Sequence, residues 1–166
     1  MYLLRKQLLI QERFAMNERI EWTLAAFNDL SVAQLHDLLQ LRSEVFVVEQ
    51  QCVFNDIDGA DPLALHVLGS QGGQLLAYAR CFPAGVKFTE ASIGRIATRF
   101  HSRGGGLGHA LVKQAVSSVC TLWGAQAIRI GAQAHLARFY SAHGFAEVGI
   151  SYVEDGIDHL EMLWRP

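Results

Sequence analysis

A glycine-rich turn between a predicted strand and a predicted helix is the clearest candidate for chemistry in this 166-residue chain. It spans residues 103–108 and reads Arg-Gly-Gly-Gly-Leu-Gly. Free N–H groups at the start of a helix attract phosphate, and glycines let the backbone approach such an anion closely. Arg103 can add a charge-assisted hydrogen bond, and no acidic side chain lies between Arg103 and His109 to compete with an anion. The turn therefore predicts an anion site, with a purely structural glycine turn as the alternative.

Two common phosphate-binding loops do not fit this turn. A P-loop requires Lys followed by Ser or Thr after its last glycine, whereas His109 and Ala110 follow Gly108. A dinucleotide-binding fingerprint lies early in a parallel βαβ unit, whereas the strands before this turn are predicted to be antiparallel. The turn is therefore neither of these loops.

The elements that must position the turn predict a mixed α/β domain with a largely antiparallel sheet. Apolar alternation and β-prone runs predict strands at 21–27, 64–68, 75–82, 91–100, 127–132, 145–150 and 160–164. Helical periodicity predicts a helix capped by Ser31, a helix over 106–123 ended by Gly124, and a short helix over 134–143. Residues 20–166 are expected to form one domain. Residues 1–19 are interpreted as an N-terminal extension that is disordered or a non-native start.

Composition narrows the classes of function. The chain is 51% hydrophobic and 18% charged, so it can bury a sizeable core. Its net charge of −2 gives no electrostatic reason to expect a nucleic-acid or membrane partner, and no apolar run approaches the roughly 20 residues of a membrane span. Cys52, Cys81 and Cys120 are far apart and odd in number, which indicates small buried hydrophobes in a reducing compartment. A cytoplasmic protein is expected.

The acidic segment at residues 55–62 does not predict a metal site. A calcium loop beginning at Asp56 needs glutamate at its twelfth position, where this chain has Val67. The seven histidines lack the spacing of zinc ligands. The segment is expected either to attract cations or to be structural. Arg42 is expected to orient the site, to pair with this segment, or to lie on a solvated helix face.

The glycine turn and a second segment together resemble the GNAT N-acetyltransferase superfamily. Residues 103–108 match its signature Q/R-x-x-G-x-G/A, and residues 139–145, Phe-Tyr-Ser-Ala-His-Gly-Phe, look like its second signature, F-Y-x-x-x-G-F. Residues 41–50, 131–136 and 154–159 resemble its ElaA-like branch. The resemblance covers about residues 20–164. It implies a GNAT-like α/β fold whose largely antiparallel sheet is flanked by helices and splayed at the CoA-binding strand.

This resemblance also implies an acyl-CoA N-acyltransferase that passes acetyl from acetyl-CoA to an amine of a small molecule or peptide, without a metal. The strand before the glycines is then expected to bind the pantetheine arm, and the amides of the turn to bind the pyrophosphate. Gln133 stands where many members have asparagine and reaches further. The expected cofactor-binding residues are Ile96, Ala97, Thr98, Arg103, Gly104, Gly105, Gly106, Leu107, Gly108, Gln133 and Phe139.

The catalytic residues are expected to be a proton donor and a base. Tyr140 falls on the superfamily's tyrosine that faces the thiol and is expected to protonate the departing thiolate, with a core aromatic as the alternative. An amine with a pKa near 10.4 is neutral in only about one molecule in 2,500 at pH 7, a cost of about 4.6 kcal/mol, so a base is needed. The candidates are Glu49 and then His66, for which a structural role is equally compatible, with Glu90 and His159 behind them.

Two other functions remain open at this stage. Arg42, Val45, Phe46 and the acidic segment faintly resemble acyl-homoserine lactone synthases, which use acyl carrier protein and S-adenosylmethionine, although the glycine signature argues against them. A CoA-binding sensor without catalysis is the second alternative. A homodimer is compatible with Trp164 on an edge strand, and the acceptor amine is not readable from the sequence.

Overall fold

The computed structural model describes residues 19–166, which form a seven-stranded sheet with helices on both faces. The strands are β1 (Glu21–Ala26), β2 (Leu65–Gln71), β3 (Gln74–Phe82), β4 (Ala91–Thr98), β5 (Ile128–Gln133), β6 (Phe145–Glu154) and β7 (Ile157–Trp164). The α-helices are α1 (Val32–Arg42), α2 (Leu107–Trp123) and α3 (Ala137–Ser141). The strand order is β1-β2-β3-β4-β5-β7-β6, and every neighbouring pair is antiparallel except β4 and β5. The predicted mixed, largely antiparallel α/β fold is confirmed.

Helix α1 begins where the sequence predicts. The Ser31 hydroxyl accepts a hydrogen bond from the Gln34 amide at 3.1 Å, and the Gln34 side chain accepts one from the Ser31 amide at 2.9 Å. This reciprocal capping box satisfies two amides that would otherwise lack a partner at the helix start. The helix then continues without a break as a π-helical segment, Ser43–Glu49, a geometry that often occurs at functional sites.

Apolar side chains cover both faces of the sheet. Helix α2 packs on one face with the buried stripe Leu107, Leu111, Ala115 and Val119, as its periodicity predicts. Helix α1 packs on the other face, where the buried residues are Leu38, Leu41, Val45, Leu68, Leu75, Tyr78 and Ala97. The two cores hold the central strands rigidly from both sides, which fixes the position of any site between β4 and β5.

The two parallel strands at the centre of the sheet pair only briefly. Ala91 lies opposite Ile128 and Ser92 opposite Arg129, and β4 and β5 then separate. Beyond Ser92 the backbone groups on the facing edges of the two strands no longer bond to each other. The predicted splay of the sheet is therefore present, and it leaves a gap in the middle of the molecule.

A β-bulge in β4 accompanies this separation. Tyr78 and Arg80 are two residues apart on β3, but their partners on β4, Ala97 and Gly94, are three residues apart. Strand β4 therefore contains one extra residue at this point. Arg95, inside the bulge, has a φ of +50°, an uncommon conformation for a residue with a side chain. A bulge bends its strand and redirects side chains, so this one turns β4 away from β5.

Some local predictions need correction. The predicted helix over 134–143 is a 3₁₀ turn, Ala134–Leu136, followed by the five-residue α3. Trp164 is not on an edge strand, because β7 lies between β5 and β6, where Trp164 pairs with Ile128 and Phe145. In the β6–β7 hairpin, the later strand, β7, therefore lies inside the sheet next to β5, and the earlier strand, β6, forms the edge.

The three cysteines form no disulfide bond. Cys52 and Cys81 are buried, Cys120 is half-buried, and all three are free thiols. Burial raises the pKa of the Cys81 thiol to about 12, as expected of an inert core cysteine. Among residues 19–166 there is no helix with the length and apolarity to cross a membrane. The N-terminal extension predicted at residues 1–19 lies almost wholly outside the described residues.

Candidate active site

A cavity of about 770 Å³ occupies the gap between β4 and β5. Its walls are the π-helical segment after α1, the segment at residues 50–58, the facing edges of β4 and β5, and the β6–β7 hairpin. Arg103 and Gly108, the two end residues of the glycine turn, line one end. A single continuous cavity therefore runs from the start of α2 to a region large enough for a second small molecule.

The glycine turn has the backbone that its sequence predicts. Gly104 and Gly106 both have a φ of +86°, a left-handed conformation in which other residues are strained. Gly106 caps α2 without a side-chain hydrogen bond, and no acidic residue lies in the first turn. The Ala110 amide donates to the Gly106 carbonyl at 3.0 Å and starts the helical ladder. The amides before Ala110 thus form a helix N-terminus with no capping side chain, which suits an anion.

Arg103 does not present its guanidinium to this helix start. It donates two hydrogen bonds to Glu49, at 2.6 and 2.9 Å, and further bonds to the Thr98 carbonyl. Its own amide donates to the Phe100 carbonyl at 3.3 Å. The structure therefore brings two predicted residues, Arg103 and Glu49, together at the cavity wall as an ion pair, and both carboxylate oxygens of Glu49 are engaged.

The predicted cofactor strand faces the cavity. Ile96, Ala97 and Thr98 of β4 line it beyond the bulge, as do Arg103 and Gly108 from the turn. The other predicted residues of the turn, Gly104 to Leu107, are not part of the cavity wall. The strand therefore presents its unpaired edge along the gap, although the Thr98 carbonyl accepts from Arg103, and the turn reaches the gap through its two end residues.

Residues from β5 and α3 form the opposite wall. The Gln133 side chain donates to the Gln50 side chain at 3.2 Å, which links β5 to the end of the π-helical segment. Phe139 lies under Gly108, where an added Cβ would meet its ring at 3.6 Å. Tyr140 meets Phe139 edge-on with 5.0 Å between the ring centroids. The two predicted signatures are therefore adjacent in space.

Tyr140 lines the cavity but is only 6% exposed. Burial raises the pKa of its phenol to about 12, because the phenolate is poorly solvated there. The hydroxyl therefore keeps its proton at neutral pH. Tyr140 can donate a proton at the cavity wall and cannot act as a resting base.

His66 and Glu90, two of the predicted base candidates, are not part of this cavity wall. His66 is fully buried, with Nδ1 at 2.8 Å from the Tyr78 hydroxyl and Nε2 at 3.1 Å from the Asp61 carbonyl oxygen. Burial lowers the pKa of His66, and these contacts describe a structural histidine. Glu90 accepts two hydrogen bonds from Arg129, which lower the pKa of Glu90 to about 2. Neither residue is placed to take a proton from a molecule in the cavity.

His159 does line the cavity, although its sequence context carries little signal. It lies on β7 opposite Gln133 and stacks on Tyr152, with 5.4 Å between the ring centroids. Its Nδ1 lies 2.8 Å from the Ile157 carbonyl oxygen. Because a carbonyl only accepts, Nδ1 carries the hydrogen, and the neutral ring keeps its lone pair on Nε2. His159 therefore has one nitrogen fixed as a donor and one suited to accept a proton.

A buried charge network holds the segment at residues 55–62 over the cavity. Arg42, fully buried, donates to Asp56 at 2.8 Å and to Asp61 at 2.7 Å. Arg80 also donates to Asp61, at 2.8 Å, and it holds both oxygens of Asp58 at 2.8 Å. Of the three alternatives for Arg42, pairing with the acidic segment is therefore confirmed and a solvated helix face is wrong, and of the two for the segment the structural one holds.

Arg95 ties the bulge to the same network. Its guanidinium donates to Asp56 at 2.7 Å and lies over the ring of Phe54, with 5.5 Å to the centroid. Neither this role nor that of Arg80 was predicted from the sequence. The available signal was a single arginine in each of two apolar strands, together with three aspartates and no basic residue in the segment at residues 55–62.

The chain is similar to a family of acetyltransferases and to solved acyltransferase structures. A family profile described as an acetyltransferase (GNAT) domain matches residues 31–166. Protein ElaA of Escherichia coli is 41% identical over 145 residues, covering 86% of this chain and 95% of that protein. The crystal structure of an acyl-CoA N-acyltransferase from Pseudomonas aeruginosa superposes with a TM-score of 0.84 at 38% identity, covering 88% of this chain and 99% of that one. The acyl-homoserine lactone (AHL) synthase LasI, at 14% identity and a TM-score of 0.71 over 89% of this chain and 90% of its own, shares the fold alone.

Proposed function

The chain belongs to the GNAT acetyltransferase family, and from this premise we propose that it transfers acetyl from acetyl-CoA to a primary amine of a small molecule or peptide. The observation that carries the proposal is the continuous cavity between the uncapped start of α2 and the β6–β7 hairpin. A donor and an acceptor can meet inside it. Holding both reactants in line supplies much of the acceleration in such a transfer.

The turn and the strand are expected to divide the recognition of acetyl-CoA between them. Backbone amides at the start of α2 suit the pyrophosphate, because they combine free donors with the positive end of the helix dipole. The cavity-facing edge of residues 96–98, apart from the Thr98 carbonyl that Arg103 binds, suits the amide groups of the pantetheine arm. Since Arg103 is held by Glu49, its contribution is expected to be the shape of the turn rather than a guanidinium contact with phosphate.

The chemistry requires one proton to leave the amine and one to reach the sulfur. The amine nitrogen attacks the acetyl carbon, a C–N bond forms, the C–S bond breaks, and the thiolate takes the Tyr140 proton. We assign removal of the amine proton to Nε2 of His159 in place of Glu49. The support is that His159 keeps a lone pair beside the cavity, whereas both oxygens of Glu49 are engaged by Arg103.

The test is amine-dependent release of thiol from acetyl-CoA, measured with a panel of primary amines and the full chain. Tyr140→Phe is expected to lower kcat by about tenfold to a hundredfold, with the dissociation constant of CoA unchanged, because the ring stays and the proton donor is removed. CoA binding with no thiol release over the whole panel would contradict the proposal and indicate a sensor. Thermal stabilisation by S-adenosylmethionine but not by CoA would indicate a homoserine-lactone-synthase-like chemistry.

A further inference from the structure

Two buried polar groups beside the cavity lack a hydrogen-bond partner within residues 19–166. They are Nε of Arg80 and Oγ of Ser92, and each residue is 3% exposed. Both residues line the cavity. Leaving a buried donor without a partner is costly, so in native proteins such a group is usually completed by an ordered water, an ion or a ligand. These two groups therefore mark a place where a hydrogen-bond acceptor on a ligand would bind.

Strand pairing places the two groups on one face of the sheet. Ser92 of β4 lies opposite Phe82 of β3, and Arg80 is two residues from Phe82. Side chains two apart on a strand point to the same face, and so do directly paired residues. The Arg80 guanidinium lies over the Phe82 ring with 5.1 Å to the centroid, and Lys87 Nζ lies 5.6 Å from the same centroid. The Phe82 ring therefore contacts the cationic groups of both Arg80 and Lys87, next to the unpaired hydroxyl of Ser92.

Within the charge network of the acidic segment, cationic side chains outnumber carboxylates. Three carboxylates, those of Asp56, Asp58 and Asp61, meet four cationic side chains, those of Arg42, Arg80, Arg95 and Lys87. Of these four cationic side chains, Lys87 makes the longest of the cited contacts, because its nitrogen lies 3.5 Å from Asp58, and its side chain is 38% exposed. The cluster therefore has one positive charge more than its own carboxylates neutralise, and that charge is accessible.

We propose that Ser92, Arg80 and Lys87 form a carboxylate subsite, so that the acceptor is an amine that also carries a carboxylate, an amino-acid-like molecule. The hydroxyl and Nε donate to the carboxylate oxygens, and the lysine balances their charge. The part of this inference that concerns the acceptor rests on the proposed function. The binding of a carboxylate at these residues does not.

Binding is tested with 3-phenylpropanoate and its uncharged amide, 3-phenylpropanamide, added to the full chain saturated with CoA. The acid is expected to bind at least tenfold more tightly than the amide. Ser92→Ala is expected to weaken binding of the acid by about tenfold, and Lys87→Gln by about threefold, with little change for the amide. Equal affinity for acid and amide, or equal losses for both probes in the variants, would overturn the subsite.

Matched controls separate the subsite from general effects of substitution. Ser118 is a buried serine of α2 whose hydroxyl donates to the Gln114 carbonyl, and Lys113 is an exposed lysine of the same helix. Ser118→Ala and Lys113→Gln are expected to leave the affinity for 3-phenylpropanoate unchanged. If either control weakens binding as much as its partner variant does, the proposal fails.

Turnover distinguishes this proposal from the proposed function. Phenylalanine, phenylalaninamide and 2-phenylethylamine are compared as acceptors with acetyl-CoA, and phenylalanine is expected to have at least a tenfold higher kcat/KM than the other two. Acetylation of all three amines at similar rates would overturn the subsite and leave the proposed function standing. Binding of 3-phenylpropanoate with no acetylation of any amine would overturn the proposed function and leave the subsite standing.

Discussion

Replacing Asp61 by asparagine removes the charge at the centre of the buried network. One oxygen of Asp61 accepts hydrogen bonds from Arg42 at 2.7 Å and from Arg80 at 2.8 Å. The arginine side chains are 0% and 3% exposed, and that of Asp61 is 6% exposed. Asparagine keeps the shape and one accepting oxygen. It leaves two buried guanidinium groups with one counter-charge fewer, so Asp61→Asn is expected to be strongly destabilising.

The magnitude follows from the burial of these groups. Breaking a buried ion pair by removing one partner costs about 3–5 kcal/mol, and the hydrogen bonds that asparagine retains favour the lower end. A domain has about 5–15 kcal/mol of stability in total, so a loss of about 3 kcal/mol is a large fraction of it. At about 2–4 °C per kcal/mol for a chain of this size, Tm is expected to fall by about 6–12 °C.

The effect of this substitution depends on pH in a defined direction. Burial alone raises the pKa of Asp61, but hydrogen bonds from Arg80 and the charge of Arg42 outweigh burial and hold the pKa below its ordinary value. A carboxylate with a lowered folded pKa stabilises the protein fully above its unfolded pKa, about 3.9, and loses that contribution as pH falls further. The difference between wild type and Asp61→Asn is therefore expected to be full at pH 7 and to shrink below about pH 4.

The assay is urea unfolding followed by circular dichroism at pH 7, repeated at lower pH. Asp37→Asn is the matched control, because the Asp37 side chain is 44% exposed and, within residues 19–166, forms an ion pair only with the exposed His36. The control is expected to change the free energy of unfolding by less than about 0.5 kcal/mol. A loss below about 1 kcal/mol for Asp61→Asn, or one no larger than that of the control, would refute this account of the network.

Three further substitutions test the cavity. Gly106→Ala is expected to weaken CoA binding by about tenfold because a Cβ is strained at φ +86° and shifts the amides of α2, whereas Gly124→Ala, at φ +83° on the far end of α2, should cost similar stability and leave CoA affinity unchanged. Equal CoA affinities would contradict the role of the turn. Gly131→Ala places a Cβ against the Tyr152 hydroxyl, so it should raise KM for the amine more than for acetyl-CoA, and adding Tyr152→Phe should restore the lower value. Failure of this rescue would mean that another contact is responsible. His159→Gln is expected to lower kcat by at least about a hundredfold and His36→Gln, at an exposed position, to leave it unchanged; a small loss at His159 would assign the base elsewhere.

Local signals in the sequence were enough for most of the elements. The Ser31 N-cap, the apolar stripe of α2 and the glycine turn each depend on residues a few positions apart, and each occurs where predicted. The placement of β7 between β5 and β6 could not be predicted in this way. It depends on pairing between strands far apart in the chain, and a short alternating pattern carries no information about such pairing.

The candidate site shows the same division between local and long-range information. The two signatures predicted the glycine turn and the Phe139–Tyr140 wall, which lie together in space. The roles of His66 and His159 were not separable by sequence, because the contacts that distinguish them include residues of other elements: Tyr78 and Asp61 for His66, and Tyr152 for His159. The hydrogen bond of His159 to the Ile157 carbonyl is local. Arg103 was expected to face an anion, but a carboxylate 54 positions away holds it. Which charged groups pair at such separations depends on the tertiary structure.

The central claim is that an amine receives an acetyl group in the gap between β4 and β5. The most direct measurement is mass spectrometry of a primary-amine panel incubated with the protein and acetyl-CoA, together with the amount of thiol released. The account predicts an N-acetylated amine formed in equal amount to the released thiol, with no release above background when the amine is omitted. CoA binding without any acetylated amine, or thiol release at the same rate with and without amine, would contradict it.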